Sequence, residues 1–171
     1  MHNKQSNSQA MSENYEIDKV DIQILHLLMQ DAMTPFTEIA QKIGVSPGTI
    51  HVRMKKMDAM GLIKSSHLMV NPQKLGYGIT AFLGVYLDKS SMYDNVVKEL
   101  EKIPEIVDCH YMTGTYSMFL KIICKDTNHL KKILHDGIQP INGIDRTETF
   151  ISLEESFSRP MKIEMNGKRD M

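Results

Sequence analysis

The sequence predicts an α+β protein in two parts, and three observations carry that reading. Apolar residues in the first half recur at helical spacing and are cut into short segments by glycine and proline. The second half changes rhythm, to alternating apolar runs separated by two helical stripes. The chain is 171 residues long, 42% hydrophobic and 24% charged, which suits one or two ordinary globular domains.

Asp18 is placed to cap a helix that begins at Lys19, with Ile17, Val20, Ile24, Leu27 and Leu28 as its apolar stripe. Thr34-Pro35-Phe36-Thr37 interrupts it. A second, short helix follows with Ile39, Ala40 and Ile43 inward. Gly44 ends it, because glycine accepts the left-handed conformation at little cost. Ser46 and Pro47 read as the N-cap and first residue of a third helix, whose inward positions are Ile50, Met54 and Met57. Gly61 stops that helix. Residues 62–70 read as mostly extended, and Asn71-Pro72 as a turn.

Helix, glycine turn and helix make a helix-turn-helix pattern. Gly44 lies four residues and Ile50 ten residues after Ala40. The small Ala40 lets the helices approach, Gly44 makes the turn, and Ile50 pins the second helix to the core. Gly61-Leu62-Ile63-Lys64 reads as the start of a wing, so a winged helix-turn-helix is expected here. A hairpin of two helices that only pack together is the alternative.

In the second half, strands are expected at 81–87, 106–112, 117–124 and 144–153. Helices are expected at 93–102, with Val96, Val97, Leu100 and Ile103 on one stripe, and at 128–136, with Leu130, Ile133 and Leu134. Thr113-Gly114-Thr115 forms a turn. The order β-α-β-β-α-β is ferredoxin-like and predicts a four-stranded antiparallel sheet with two helices on one face. Met118, Leu120, Ile122 and Cys124 are expected to face the helices. Phe119 and Ile123, with Phe82 and Tyr86, face the other way. An open face that apolar predicts a homodimer through the sheet, and packing of the first part against it is the alternative.

The net charge of −1 excludes a generally basic protein, yet residues 36–75 carry six bases and two acids. Residues 15–35 carry one base and four acids. A local basic face of this kind is compatible with nucleic-acid binding and also with an ordinary solvated surface. No apolar run is long enough for a membrane span, and polar residues 1–14 lack a signal peptide's apolar stretch. A disordered N-terminal tail and a cytoplasmic location are expected. Two cysteines make a disulfide scaffold implausible. The seven histidines are scattered, and there is no Cys-x-x-Cys, His-Glu-x-x-His, P-loop or Gly-x-Gly-x-x-Gly. No catalytic residue, metal or cofactor is therefore expected.

The third helix is equipped to meet double-stranded DNA. With Ile50, Met54 and Met57 inward, Thr49, Val52, Arg53 and Lys56 are expected outward or sideways, flanked by His51 and Lys55. Ser46 and Thr49 offer short hydroxyls to phosphates or bases, although Ser46 and Pro47 also have a sufficient structural role as caps. Val52 suits a thymine methyl, and Arg53 suits guanine or a phosphate. Lys55, Lys56 and Lys64 suit phosphates, which give affinity without sequence choice, or are surface charges.

These stretches resemble the Lrp/AsnC, or feast/famine, family of transcription regulators. The resemblance runs over about residues 16–153. Residues 17–25 resemble the family's opening helix. Residues 37–40 and 44–53 resemble its reading head, and residues 71–77 its interdomain hinge. Thr113-Gly114-Thr115-Tyr116-Ser117 and Arg146-Thr147-Glu148-Thr149 resemble its ligand-domain signatures. Ser46–Arg53 and Gly114–Ser117 are most like the asparagine-responsive members. Many leucine-type members carry acids where this chain has Thr115 and Ser117.

The resemblance implies a sequence-specific regulator with a free amino acid as effector, asparagine favoured. It implies a dimer, often assembled into an octamer of four dimers, with effectors held at subunit interfaces. Gly114 and Thr115 would offer backbone N–H groups to the effector carboxylate. Tyr116, Ser117, Thr147, Glu148 and Thr149 are the other candidates, for the ammonium or a side-chain amide. Thr147 and Thr149 are equally good strand residues, and Gly114 could simply serve the hairpin. The domains follow: a tail at 1–14, the DNA-binding domain at 15–65, a hinge at 66–78, the effector and oligomerisation domain at 79–154, and a tail at 155–171. Sirohaem decarboxylases, which resemble the same two-part arrangement, are the enzymatic alternative. An amino-acid sensor without DNA binding is the other.

Overall fold

A computed structural model describes residues 15–65 and 68–164. The expected tail at 1–14, the hinge residues Ser66 and His67 and the end of the chain from 165 lie outside the described residues. The chain divides into two compact units. One runs up to Leu68 and includes the segment from Ser158, and the other is Met69–Phe157. Among the described residues no helix is long and apolar enough to cross a membrane.

The first unit is built from α1 (Lys19–Gln30), α2 (Phe36–Ile43) and α3 (Pro47–Ala59). Asp18 caps α1 as expected. Its carboxylate accepts the N–H groups of Val20 and Asp21 at 2.8 and 3.0 Å, while Asp21 reaches back to the Asp18 N–H at 3.0 Å. This reciprocal box satisfies N–H groups that a helix start leaves unpaired. Gly44 ends α2 at φ 81°, in the left-handed region, and its N–H reaches the Ala40 carbonyl at 2.9 Å. The tight turn delivers the chain directly into α3, capped by Ser46 with Pro47 in its first turn. Ile24, Ile39, Ala40, Ile50 and Met57 are buried together, with Val20, Leu28, Ile43 and Met54 packed around them. The three helical stripes expected from spacing thus converge on one core.

The expected wing is not realised as paired strands among the described residues. The four-stranded sheet lies wholly in the second unit, and residues 62–65 and 68–70 are irregular. A wing needs a partner for its backbone groups, and Leu68, Met69 and Val70 are exposed instead.

The second unit follows the expected order. Its elements are β1 (Ile79–Leu87), α4 (Tyr93–Leu100), β2 (Ile106–Tyr111), β3 (Met118–Cys124), α5 (Thr127–Lys132) and β4 (Ile144–Ile151). The sheet order is β2-β3-β1-β4, with antiparallel pairing throughout. Along β3 the side chains of Met118, Leu120, Ile122 and Cys124 are buried while those between are not. They meet Leu83 and Val85 of β1 and Val96, Leu100, Leu130 and Ile133 from the helices. The final helix departs from the spacing prediction. After Lys132 it widens into a π-helical segment, Ile133–Ile138, closed by a 2.8 Å bond from the Gln139 N–H to the Leu134 carbonyl. The wider turn brings both Ile133 and Ile138, five residues apart, into the core.

Candidate nucleic-acid interface and effector site

The Ser46 cap shapes the start of α3. Its Oγ accepts the Thr49 N–H at 3.1 Å and shares a hydrogen bond with the Thr49 hydroxyl at 2.9 Å. The two hydroxyls proposed for DNA contact are therefore held to each other at the end of the helix that carries free backbone N–H groups. Along the helix, His51, Val52, Lys55 and Lys56 are exposed, as are Ser46 and Pro47 before them and Lys64 beyond. Val52 keeps 53% of its surface in solvent. The Lys56 ammonium lies 4.9 Å from the centroid of the Tyr15 ring. The His51 ring sits 6.2 Å from that of Phe36. The exposed face combines two cations, a bare aliphatic patch and small hydroxyls. That set supports phosphate contact together with apolar contact to a base edge.

Arg53 takes the sideways of the two expected directions and meets the acids of the first helix start. Its Nη1 donates to Asp18 at 2.8 Å, to Asp21 at 2.9 Å and to the Tyr15 hydroxyl at 3.2 Å. The Tyr15 hydroxyl also lies 2.7 Å from both oxygens of Asp21. Asp21 is fully buried and is the buried charged residue among those described. Arg53 stands three residues after Ile50 and four before Met57, so it shares their stripe and faces α1 rather than outward. Hydrogen bonding to Asp21 raises the Arg53 pKa further above its ordinary value. Burial, reinforced by the hydrogen bond to Asp21, pushes the Tyr15 hydroxyl up to about 12. At Asp18 burial acts upward, but hydrogen bonds from Asp21 and Arg53 prevail and hold its carboxyl below the usual range. The acid pair at 18 and 21 was legible as a cap, and its second use as an arginine receptor was not.

In the second unit the strand register decides which effector candidates come together. Gly84 pairs with Glu148 and with Phe119, and Tyr86 pairs with Arg146, so these share the face away from the helices. Phe82, opposite Phe150, lies there too, with ring centroids of Phe82 and Phe119 5.9 Å apart. The expected apolar open face is present. It also carries a polar cluster: Glu148 accepts the hydroxyls of Tyr86 at 3.0 Å and Tyr116 at 2.8 Å, and the Arg146 guanidinium sits 3.9 Å from the Tyr86 ring centroid. The two phenol donors hold the Glu148 carboxyl below its ordinary range. In return, the bond to Glu148 raises the Tyr116 pKa.

Tyr116 and Glu148 are thus brought together as candidates. Thr147 and Thr149 are not: opposite Val85 and Leu83, they lie on the helix side of the sheet. The expectation that residues 147, 148 and 149 serve one pocket is corrected, because neighbours on a strand point to opposite faces. Gly114 and Thr115 are exposed in the turn, with Gly114 at φ 111°. Ser117 is half-buried and its hydroxyl accepts the Leu87 N–H at 3.3 Å, a bond that ties the turn to the end of β1. Sequence reasoning missed Gly84, Tyr86 and Arg146 as partners of this cluster. A Cβ at Gly84 would stand 2.4 Å from the Tyr116 ring, so the bare backbone is what seats that ring. The one signal available was glycine inside a strand, which often marks a close approach. An open groove between α4 and the end of the π-helical segment, edged by Asn95, Lys98, Gly137 and Asn142, contains none of the effector candidates.

Comparisons agree with both halves of this description. Residues 17–58 match an AsnC-type helix-turn-helix domain, and residues 80–161 match the Lrp/AsnC ligand binding domain. The chain is 42% identical over 148 residues to the regulatory protein AsnC of Haemophilus influenzae, covering 86% of this chain and 99% of that one. The solved structure of Escherichia coli AsnC superposes with a TM-score of 0.79 at 39% identity, covering 86% of this chain and 99% of that one. A transcriptional regulator of Neisseria meningitidis, solved as a complex with L-Met, shares the fold at 21% identity and a TM-score of 0.79, over 84% of this chain and 94% of its own. The chain is a member of the Lrp/AsnC family, a DNA-binding transcription regulator of the helix-turn-helix type.

Proposed function

We propose that this regulator responds to a free amino acid and reads its operator with the exposed face of α3. The observation that carries the sensing half is the cluster on the open sheet face. Arg146 and Glu148 offer opposite charges beside the Gly114–Ser117 turn, and a free amino acid is a zwitterion that needs one partner of each sign. Gly114 and Thr115 supply N–H groups for the carboxylate. Tyr116 and Ser117 border the side chain, and the aromatic patch of Phe82, Phe119 and Phe150 joins two copies into a dimer. The L-Met complex of the Neisseria regulator supports the ligand class. Asparagine is favoured by the resemblance of residues 114–117 to the asparagine-responsive members. An octamer of four dimers and a cytoplasmic location complete the proposal.

For DNA, Ser46, Pro47, Thr49, His51, Val52, Lys55 and Lys56 form the contact face, with Lys64 on a flanking phosphate. A dimer carries two such helices and addresses half-sites about one helical turn, or a multiple, apart. The effector alters DNA binding only through its differential affinity for two arrangements of dimers. The test is thermal unfolding against each amino acid in turn. A ligand at about 100 times its dissociation constant adds roughly 2.7 kcal/mol. Stabilisation by asparagine alone supports the full reading, a different amino acid removes the asparagine assignment, and no response to any removes the sensor.

A further inference from the structure

Arg53 is held by one nitrogen. Nη1 makes the contacts to Tyr15, Asp18 and Asp21, while Nε and Nη2 make none among the described residues. No buried side-chain nitrogen there lacks a partner, so these two nitrogens reach solvent. The side chain keeps 23% exposure, next to the fully buried Asp21 side chain. A guanidinium fixed at one corner has already lost most of its rotamer freedom, and its remaining donors keep the planar fork that suits a phosphate. Its place on α3 favours phosphate over base. Val52 and the lysines occupy the outward face, and Arg53 lies on the flank toward α1, where a helix seated in the major groove meets the sugar-phosphate wall. The two acids do not leave this flank negative, because Arg53 and the nearby Lys56 over Tyr15 match Asp18 and Asp21 charge for charge.

We infer that Arg53 has two simultaneous roles: Nη1 fastens the recognition helix to α1, and the outer nitrogens clamp a DNA phosphate. This rests on the reading of α3 as the recognition helix. Arg53→Lys in the full chain separates the roles. A lysine ammonium concentrates three donors at one point, so it can replace Nη1 among the acids but leaves nothing to reach outward. The expected result is an unchanged melting temperature. Affinity for a fluorescent duplex of arbitrary sequence should fall about tenfold, with the log-affinity against log-salt slope shallower by about one.

Asp21→Asn is the converse. It weakens the fastening and leaves the guanidinium in place, so the melting temperature falls while duplex affinity, measured well below it, holds. Unchanged affinity and slope in Arg53→Lys would overturn the clamp. So would an equal loss of affinity in Asp21→Asn, since Arg53 would then act through helix position alone. If the unaltered protein bound no duplex at any salt concentration, the recognition-helix reading itself would fall.

Discussion

The two polar clusters of this molecule use nearly the same parts with different consequences. Around Arg53, a tyrosine and two aspartates close on one guanidinium nitrogen, and one aspartate is completely buried. Around Glu148, two tyrosines and an arginine gather on an exposed strand. Burial makes the difference. A charge removed from water must be paired, so losing its partner is costly. An exposed cluster is solvated on its open side and contributes little to stability. The first cluster therefore belongs to the architecture of the reading head. The second sits on the surface and ties down no buried charge.

The largest expected effect tests that contrast directly. Arg53→Ala leaves Asp21 buried without its cation and should cost about 3 kcal/mol in urea unfolding, the low end for a broken buried pair because Arg53 is partly solvated. Glu148→Gln should leave unfolding unchanged within error, and comparable losses from the two would break the comparison. A smaller effect is expected at Gly84. Gly84→Ala forces its methyl group into the Tyr116 ring, at a cost of about 1–3 kcal/mol. Adding Tyr116→Ala should recover part of that loss, and no recovery would mean that the strain lies elsewhere.

The smallest expected effect is in the pH profile. The Tyr15 hydroxyl titrates near 12 in the folded chain against 10.0 ordinarily. Its raised value means that folding favours the protonated form. That stability is fully present below pH 10.0 and is lost as pH rises toward about 12. Glu148 has the opposite sign, present above the ordinary 4.5 and lost as pH falls through the folded value, but its carboxyl is solvated and the contribution falls within the error of unfolding. Urea unfolding across alkaline pH should show the Tyr15 loss in the parent and a flatter profile in Tyr15→Phe. An identical alkaline slope in both would detach Tyr15 from the cluster.

Much of the reading head was legible because its signals are local. Asp18, Gly44 and Ser46 act on backbone groups within four residues of themselves. Apolar spacing then chose the inner face of each helix. On the sheet, alternation separated Phe119 from Met118 and Leu120 without knowledge of the neighbouring strands. The same alternation, applied to residues 147–149, would have shown that the candidates there split between two faces. Resemblance to a signature grouped them instead, since a motif records sequence adjacency and a strand reverses it in space.

By itself, then, the sequence determined the caps at Asp18, Gly44 and Ser46, the order of elements along the chain, the inner faces and the apolar open face. These depend on capping chemistry, backbone preference and periodicity, which operate over a few residues. Tertiary structure alone decided where Arg53 points, because its partner Asp21 lies 32 positions earlier and meets it only when α1 and α3 pack. It also decided why position 84 is glycine, because the ring that needs the space belongs to Tyr116, which comes beside β1 only when the distant strand β3 pairs with it. Local chemistry sets elements, and long-range packing assigns a charged or aromatic side chain to either structure or solvent.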